Sequence, residues 1–402
     1  MDIYLLDWAN LLLRWLHIIT GIAWVGSSFY FVWLDNHLIK PTSPELLDKG
    51  VGGALWAVHG GGFYNPQKYL AAPKTINTEL HWFYWESYST WLSGFALFTV
   101  LYLWNAGSFL IDKSVFAWTP AAAVAAALGF LVVFWALYDL ICRTLGRGQR
   151  GDLVVGVAVA LVVVAGSWLA CQLFAGRAAF LLVGAMIATA MSANVFFWII
   201  PGQRKVIAQM AAGVAVDPAH GERAKQRSVH NTYFTLPVLV AMMTNHYGWL
   251  YQGPNNWVVL VLLMLAGALI RQFFVARHKA HVNGVQPPWG YAVAGGVLIV
   301  ALVLWLAPPP QPAAPAAAAS PPAVTMAQMQ ALIEQRCMVC HNAQVQQKNV
   351  ALHTPALVQQ HALGIYQQVV VLKLMPLNNA TQITDADRAL VKRWYEAGTG
   401  RP

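Results

Sequence analysis

The sequence predicts an all-α protein in two unequal parts: an eight-span transmembrane helical bundle over residues 1–306 and a small helical domain over 325–402. Three observations lead there. Of 402 residues, 58% are hydrophobic and only 10% charged, against about 25% charged in soluble domains, and the mean hydropathy is +0.50. Eight apolar stretches are each long enough to cross a hydrocarbon core. A proline- and alanine-rich run, "APPPQPAAPAAAASPPAV" at 307–324, then separates them from a short, more polar tail.

The spans run over Trp8–Leu34, His81–Trp104, Ala117–Ile141, Leu153–Leu173, Ala178–Ile200, Tyr233–Leu250, Trp257–Phe274 and Trp289–Leu306. The first does not read as a cleaved signal peptide, since Asp2 and Asp7 stand where a basic region would and the stretch is too long. Charges between the spans set the orientation. Lys40, Lys49, Lys68 and Lys74 follow the first span, and Arg143, Arg147 and Arg150 the third. Arg204, Lys205, Arg223, Lys225 and Arg227 follow the fifth, and Arg271, Arg277 and Lys279 the seventh. The even-numbered loops hold only Lys113 and Arg177. By the positive-inside rule the odd loops are cytoplasmic and both termini lie outside, in the periplasm if the membrane is a bacterial inner membrane. The net charge of +9 is therefore read as topology, with membrane lipid rather than nucleic acid as the partner.

The linker cannot build a core and favours extended polyproline II; at ~3.1 Å per residue it reaches roughly 50 Å. Beyond it, "QRCMVCHNAQ" contains Cys337, Cys340 and His341 as C-x-x-C-H, the attachment signature of one covalent haem c. Met326–Arg336 reads as the helix that delivers Cys337. In "LKLMPLNN", Met375 is placed to be the second axial ligand, which raises the haem potential; a core methionine with His353 or His361 as ligand is the alternative. Thr384 and Asp387 have capping-box spacing ahead of a last helix carrying Trp394 and Tyr395. Together these residues make a small cytochrome c domain. Cys142 and Cys171 read as inert apolar side chains.

Ionisable residues inside spans are costly and usually functional. His17 would lie ~13 Å along the helix from Trp8, in the outer half of the bilayer, and His246 near the outer end of the sixth span. Two imidazoles at one depth suit a b-type haem; interhelical hydrogen bonds are the plainer account. Asp139 pairs with a cytoplasmic arginine. On the inner side, "WAVHGGGFYNPQKYLAAP" places three glycines after His59, "HWFYWESYSTWLSGF" puts His81, Trp85 and Glu86 at the mouth of the second span, and "SVHNTYFTLP" puts His230 and Asn231 at the mouth of the sixth. Glycines let backbone N–H groups approach a ligand closely, and aromatics with a carboxylate, histidines and an amide suit a flat, polar heteroaromatic substrate. Aromatics at this depth also form interfacial belts.

"VHGGGFY", "LHWFYWESYSTWLSGF" and "HNTYFTLPVLVAMMTNHY" resemble signature segments of the bacterial membrane-bound urate oxidases, or PuuD-type urate hydroxylases. That family joins an eight-span membrane domain to a C-terminal cytochrome c, the order found here. The resemblance implies oxidation of urate to 5-hydroxyisourate, with water as the oxygen source and electrons passed to the haem c. "NPQKY" and "FYWESY" are local departures. "LHIITGIAWVGSSFYFVWLDNHL" also resembles the first helix of HemJ-type protoporphyrinogen oxidases, in which a histidine is thought to bind haem.

A cytoplasmic site and an outer haem c stand about 30 Å of hydrocarbon apart, too far for useful direct transfer, and a haem b between His17 and His246 would bridge the gap. An external cytochrome c or respiratory-chain acceptor then takes the electrons onward. The rival is a non-catalytic electron-transfer subunit fed by quinol or a partner. A transporter is disfavoured, because no helix breaks or repeats occupy matching positions.

Overall fold

Helices occupy the apolar stretches because lipid offers a backbone no hydrogen-bond partners, so each segment must satisfy its own N–H and C=O groups. The computed structural model describes residues 2–69, 73, 79–146, 151–307 and 324–398. Lys74, Arg147, Arg150 and all but the ends of the predicted linker lie outside the described residues. The long helices of the first part are α1 (Asp2–His37), α2 (Trp85–Phe98), α3 (Pro120–Thr144), α4 (Gly151–Leu173), α5 (Gly176–Ala211), α6 (Pro218–Met243), α7 (Asn256–Val282) and α8 (Trp289–Trp305). Five of them, α1, α3, α4, α5 and α7, are long and apolar enough to cross a membrane, and α8 is a shorter apolar helix.

Local chemistry sets the boundaries. Thr119 caps α3 by accepting from the Ala122 N–H, Asp217 caps α6 through the Ala219 N–H, and Pro120 and Pro218 take the first helical position of each. α6 begins well before Tyr233, so His230 and Asn231 lie inside a helix. It ends at Met243, which leaves His246 in a 3-10 turn, Thr244–His246, beyond the last α-helical residue. α2 begins at Trp85, so His81 precedes the helix. A helical span starting at His81 would have put His81 and Trp85 on one face by i, i+4 spacing, and that face does not form.

α5 is the central helix. Ala178, Ala179, Phe180, Leu182, Val183, Met186 and Ala190 are all fully enclosed, and it packs on α3, α4, α6 and α2. Its small residues permit this: a Cβ at Gly184 would stand 3.0 Å from Met242 Cγ, and one at Gly176 only 2.4 Å from the Tyr251 carbonyl oxygen. Outer faces are apolar and bare, as Leu12, Ile22, Leu161, Val300 and Leu304 show. In water this surface would be a liability; in lipid it is the solvated face.

Between α1 and α2 lie a one-turn helix, Pro44–Asp48, and four short strands: β1 (Val51–Ala54), β2 (Ala57–His59), β3 (Gly62–Tyr64) and β4 (Gln67–Tyr69). β1 pairs antiparallel with β4, and β2 with β3, His59 facing Gly62. Gly60 and Gly61 close the inner hairpin, both at positive φ (58° and 79°), as a tight primed turn requires.

The C-terminal part is helical. Met326–Arg336 and Asp385–Glu396 each open with a full capping box, Thr325 with Gln328 and Thr384 with Asp387. The two helices pack together, with Trp394, Met329, Ile333 and Val358 enclosed in a separate core. This domain sits on the bundle end that carries the α1 N-terminus and the loops after α2 and α6. Lys348 pairs with Asp7, the Asn378 amide donates to the Ser108 carbonyl at 2.7 Å, and Gln252 donates to the Lys373 carbonyl at 2.5 Å. Leu374 packs on the bundle core. A Cβ at Gly248 would lie 2.7 Å from the Leu372 carbonyl oxygen, so this contact needs a glycine.

Candidate functional site

Two buried arrays meet where α3, α5 and α6 converge. Tyr138 OH and His230 Nδ1 share a hydrogen bond of 2.8 Å, and the Asn194 amide donates to Tyr138 OH and to Asn231 Oδ1, each at 2.9 Å. Asn231 in turn donates to the Met191 carbonyl at 3.0 Å. Beside them Asp139 accepts from Arg227 at 2.7 Å and from the Trp198 indole at 2.8 Å, and pairs with Arg143 at 2.7 Å. The Arg227 guanidinium lies over both the Tyr138 ring (4.9 Å) and the Trp198 ring (5.2 Å), locking the two arrays together. Trp198 reaches Asp139 from a π-turn, Val195–Ile199, just before Pro201. A proline there has no N–H for the Phe197 carbonyl, and the wider turn accommodates it.

His230 lines a cleft of about 1400 Å³ between α3, α4, α6 and α7. Arg143, Arg223, Lys225 and Arg227 line it against only Asp152 and Glu222, with Trp198, Tyr233 and Phe234 as aromatic wall. Deeper, Val159, Val163, Met264 and Leu265 make it apolar. Such a cleft attracts anions to its entrance and holds a flat ring inside.

His59, His81 and Glu86 stand apart from this cleft. His59 is exposed on the β2–β3 hairpin, and His81 is exposed with its ring edge-on to Phe83 at 4.6 Å. Glu86 is half-buried in the first turn of α2. Among the described residues, no hydrogen bond or ring contact joins these three to His230 or Asn231. Sequence reasoning paired Asp139 with an arginine but gave it no function, and it passed over Tyr138, Asn194 and Trp198. The signal was present: an adjacent Tyr-Asp pair and a lone Asn in otherwise apolar runs.

At the other end, His17 Nδ1 contacts the Thr90 carbonyl at 3.0 Å and Ser93 Oγ at 3.2 Å, leaving Nε2 uncommitted. A Cβ at Gly94 would meet the imidazole at 2.7 Å, so the ring is seated on α2. His246 is exposed, within electrostatic range of Arg14 and Arg177. An imidazole oriented through Nδ1 with Nε2 free is what iron ligation needs; two nearby guanidiniums suit carboxylate side arms.

In the C-terminal domain, His341 Nδ1 is held by the Val350 carbonyl at 2.9 Å, again leaving Nε2 free. Cys337 and Cys340 are unpaired thiols. Burial, with the Cys340 sulfur beside it, pushes the Cys337 thiol up to about 12. Met375 packs at the edge of the same core as Cys337 and Met338. Two free thiols, an oriented imidazole and a thioether on one small core fit a covalently attached haem.

An apolar helical bundle with a buried charged array and an anion-attracting cleft defines a membrane protein built to handle a small polar molecule. The family model for the urate oxidase N-terminal region matches residues 3–307, and the chain belongs to that family. It is accordingly an oxidoreductase of the urate oxidase type, with urate as the substrate the family indicates. No curated protein and no solved structure matches it.

Proposed function

We propose that the protein oxidises urate to 5-hydroxyisourate in the inner half of the bundle and passes the electrons to a haem c on Cys337, Cys340 and His341. Urate and one water give 5-hydroxyisourate, two protons and two electrons, and the oxygen comes from water. The cleft lined by His230 carries this reading, because it combines a basic entrance with aromatic walls in a chain of the urate oxidase family. His230, held through Nδ1 by Tyr138, is placed to exchange a proton through Nε2. Both ends of the Asn231 side chain are engaged, so it positions Asn194 rather than reaching the ligand. Glu86, His81 and His59 stand apart from that cleft and make the alternative site, at the inner mouth of α2: Glu86 and His81 as acid–base groups, His59 as a donor to urate oxygens.

Cys337, Cys340 and His341, with Met375 as second ligand, would hold the haem c, which would supply one-electron transfer. His17 and His246, with Arg14 and Arg177 nearby, would hold a haem b that links the two ends of the bundle, and an external cytochrome c or respiratory-chain acceptor would take the electrons onward. Both termini then face the periplasm and the odd loops the cytoplasm.

The test is turnover of urate by the purified chain with an artificial acceptor in ¹⁸O-labelled water, with a pyridine haemochrome spectrum to count haem types. Labelled product supports the reading. His230→Gln should lower kcat by roughly 10²-fold at constant haem content, while Glu86→Gln stays near the natural rate. Loss in Glu86→Gln alone moves the chemistry to the mouth of α2. No urate turnover, with haem reduced by quinol instead, favours an electron-relay subunit.

A further inference from the structure

Arg271 on α7 is 5% exposed, and its guanidinium lies 3.9 Å over the Phe29 ring of α1. Its Nε and Nη2 are sealed from solvent and have no hydrogen-bond partner among the described residues. These two atoms are the adjacent N–H pair that forms the side-on fork of a guanidinium, the edge that grips two oxygens of one anion. The titratable group that bears on Arg271 is the Tyr233 hydroxyl, itself donated to Gln272 Oε1.

The neighbourhood is basic throughout. His37, in the last turn of α1, stands 4.6 Å ring to ring from His278 and 6.4 Å from His281, both on α7. Its Nδ1 is held at 2.8 Å from the Trp33 carbonyl and its ring leans on Trp33, so its Nε2 is left over. The charged groups in range of His278 are His37, Arg277, Arg271 and His281, with no carboxylate among them. A buried guanidinium with neither counter-ion nor hydrogen bonds on its fork is costly unless something else satisfies it.

We propose that Arg271 is an anion fork: its free Nε–H and Nη2–H bind the two-oxygen edge of a small oxyanion between α1 and α7, at the bundle end away from the C-terminal domain. His37, His278 and His281 form the rim. Neither Arg271 nor these histidines line the cleft of His230, so this site stands independently of the urate reaction. The edge belongs either to a soluble anion or to the headgroup of an anionic phospholipid.

Thermal unfolding of the full chain tests it, in nanodiscs of phosphatidylcholine alone and in nanodiscs containing phosphatidylglycerol. Inorganic phosphate and urate are added separately to the first. A saturable rise in the unfolding temperature that Arg271→Lys shifts to higher concentration assigns the fork to the soluble anion that gives it, the part of the urate response unchanged in Arg271→Lys belonging to the cleft; a rise only with phosphatidylglycerol assigns it to lipid. In both cases Arg271→Lys, which keeps the charge but loses the fork, should weaken the apparent affinity at least about tenfold. Without any anion, Arg271→Met should unfold at a higher temperature than the natural chain, because it removes an uncompensated buried charge. A lower unfolding temperature for Arg271→Met, or anion responses equal in the natural chain and Arg271→Lys, would overturn the proposal.

Discussion

Replacing Asp139 by alanine takes three partners from one buried carboxylate and leaves them unequally exposed. Arg227 is 2% exposed and has no other acid partner among the described residues, whereas the Arg143 side chain is 59% exposed and can turn to water. The cost therefore falls on Arg227: an uncompensated buried charge is worth about 3–5 kcal/mol. Arg143→Ala, which removes only the exposed partner, should cost under about 1 kcal/mol. The double variant Asp139→Ala with Arg227→Met should recover most of the loss, since it removes both charges and keeps volume. Function should follow a second route, because Arg227 also holds Tyr138, and Tyr138 holds His230. Urate turnover in Asp139→Ala should thus fall even at temperatures where the bundle is fully folded. Unfolding midpoints of the four purified proteins, with turnover alongside, make the measurement. Asp139→Ala within about 1 kcal/mol of the natural chain, or a double variant no better than Asp139→Ala, would refute the reasoning.

Cys337→Ala with Cys340→Ala should remove covalent haem, seen as loss of the haem-stained band, while the bundle keeps its unfolding temperature. Met375→Leu should keep the haem attached and lower its reduction potential; an unchanged potential and spectrum exclude Met375 as ligand. Gly248→Val should push Leu372 away and unseat the C-terminal domain, slowing haem c reduction by urate at least about tenfold without altering its potential, and an unchanged rate would mean the seat is not the electron path. Burial pulls the Asp387 carboxyl upward, but the Thr384 N–H and hydroxyl and the Arg336 guanidinium outweigh it and hold it below the ordinary carboxylate range. Its contribution is therefore fully present above the unfolded value near 3.8 and is lost as pH falls through the lower folded value. Hydrogen exchange in Asp385–Glu396 should accelerate over that acid range, and Asp387→Asn should flatten the dependence.

The helices were legible because a spanning segment must be apolar along its whole length, and the capping boxes at Thr325 and Thr384 are written in four-residue spacing. The residues proposed to hold a haem c were equally plain, since Cys337, Cys340 and His341 are neighbours in the chain. What escaped was the pairing between helices. Asp139 and Arg227 are 88 positions apart, and nothing local in either segment says that they touch. The glycines after His59 looked like a ligand cradle, yet two of them are explained by hairpin closure at positive φ. His81 looked helical because its neighbours are apolar, but the chain there is irregular up to Tyr84, where φ is −135°. Arg271 was counted as a topology charge, and only its burial beside Phe29 sets it apart.

Among the described residues, the seating of the C-terminal domain on the bundle consists of a few hydrogen bonds, one ion pair and one leucine, little enough that two separate molecules meeting this way would part quickly. Both halves belong to one chain, however, and a short tether holds a ligand at an effective concentration in the millimolar range. A contact with only millimolar affinity is then occupied about half the time, and a slightly better one nearly always. The same domain supplied as a separate molecule would compete for the seat only at millimolar levels. Natural selection can therefore keep this contact weak, and on the proposed reading a domain that leaves its seat readily is free to meet an external acceptor between turnovers.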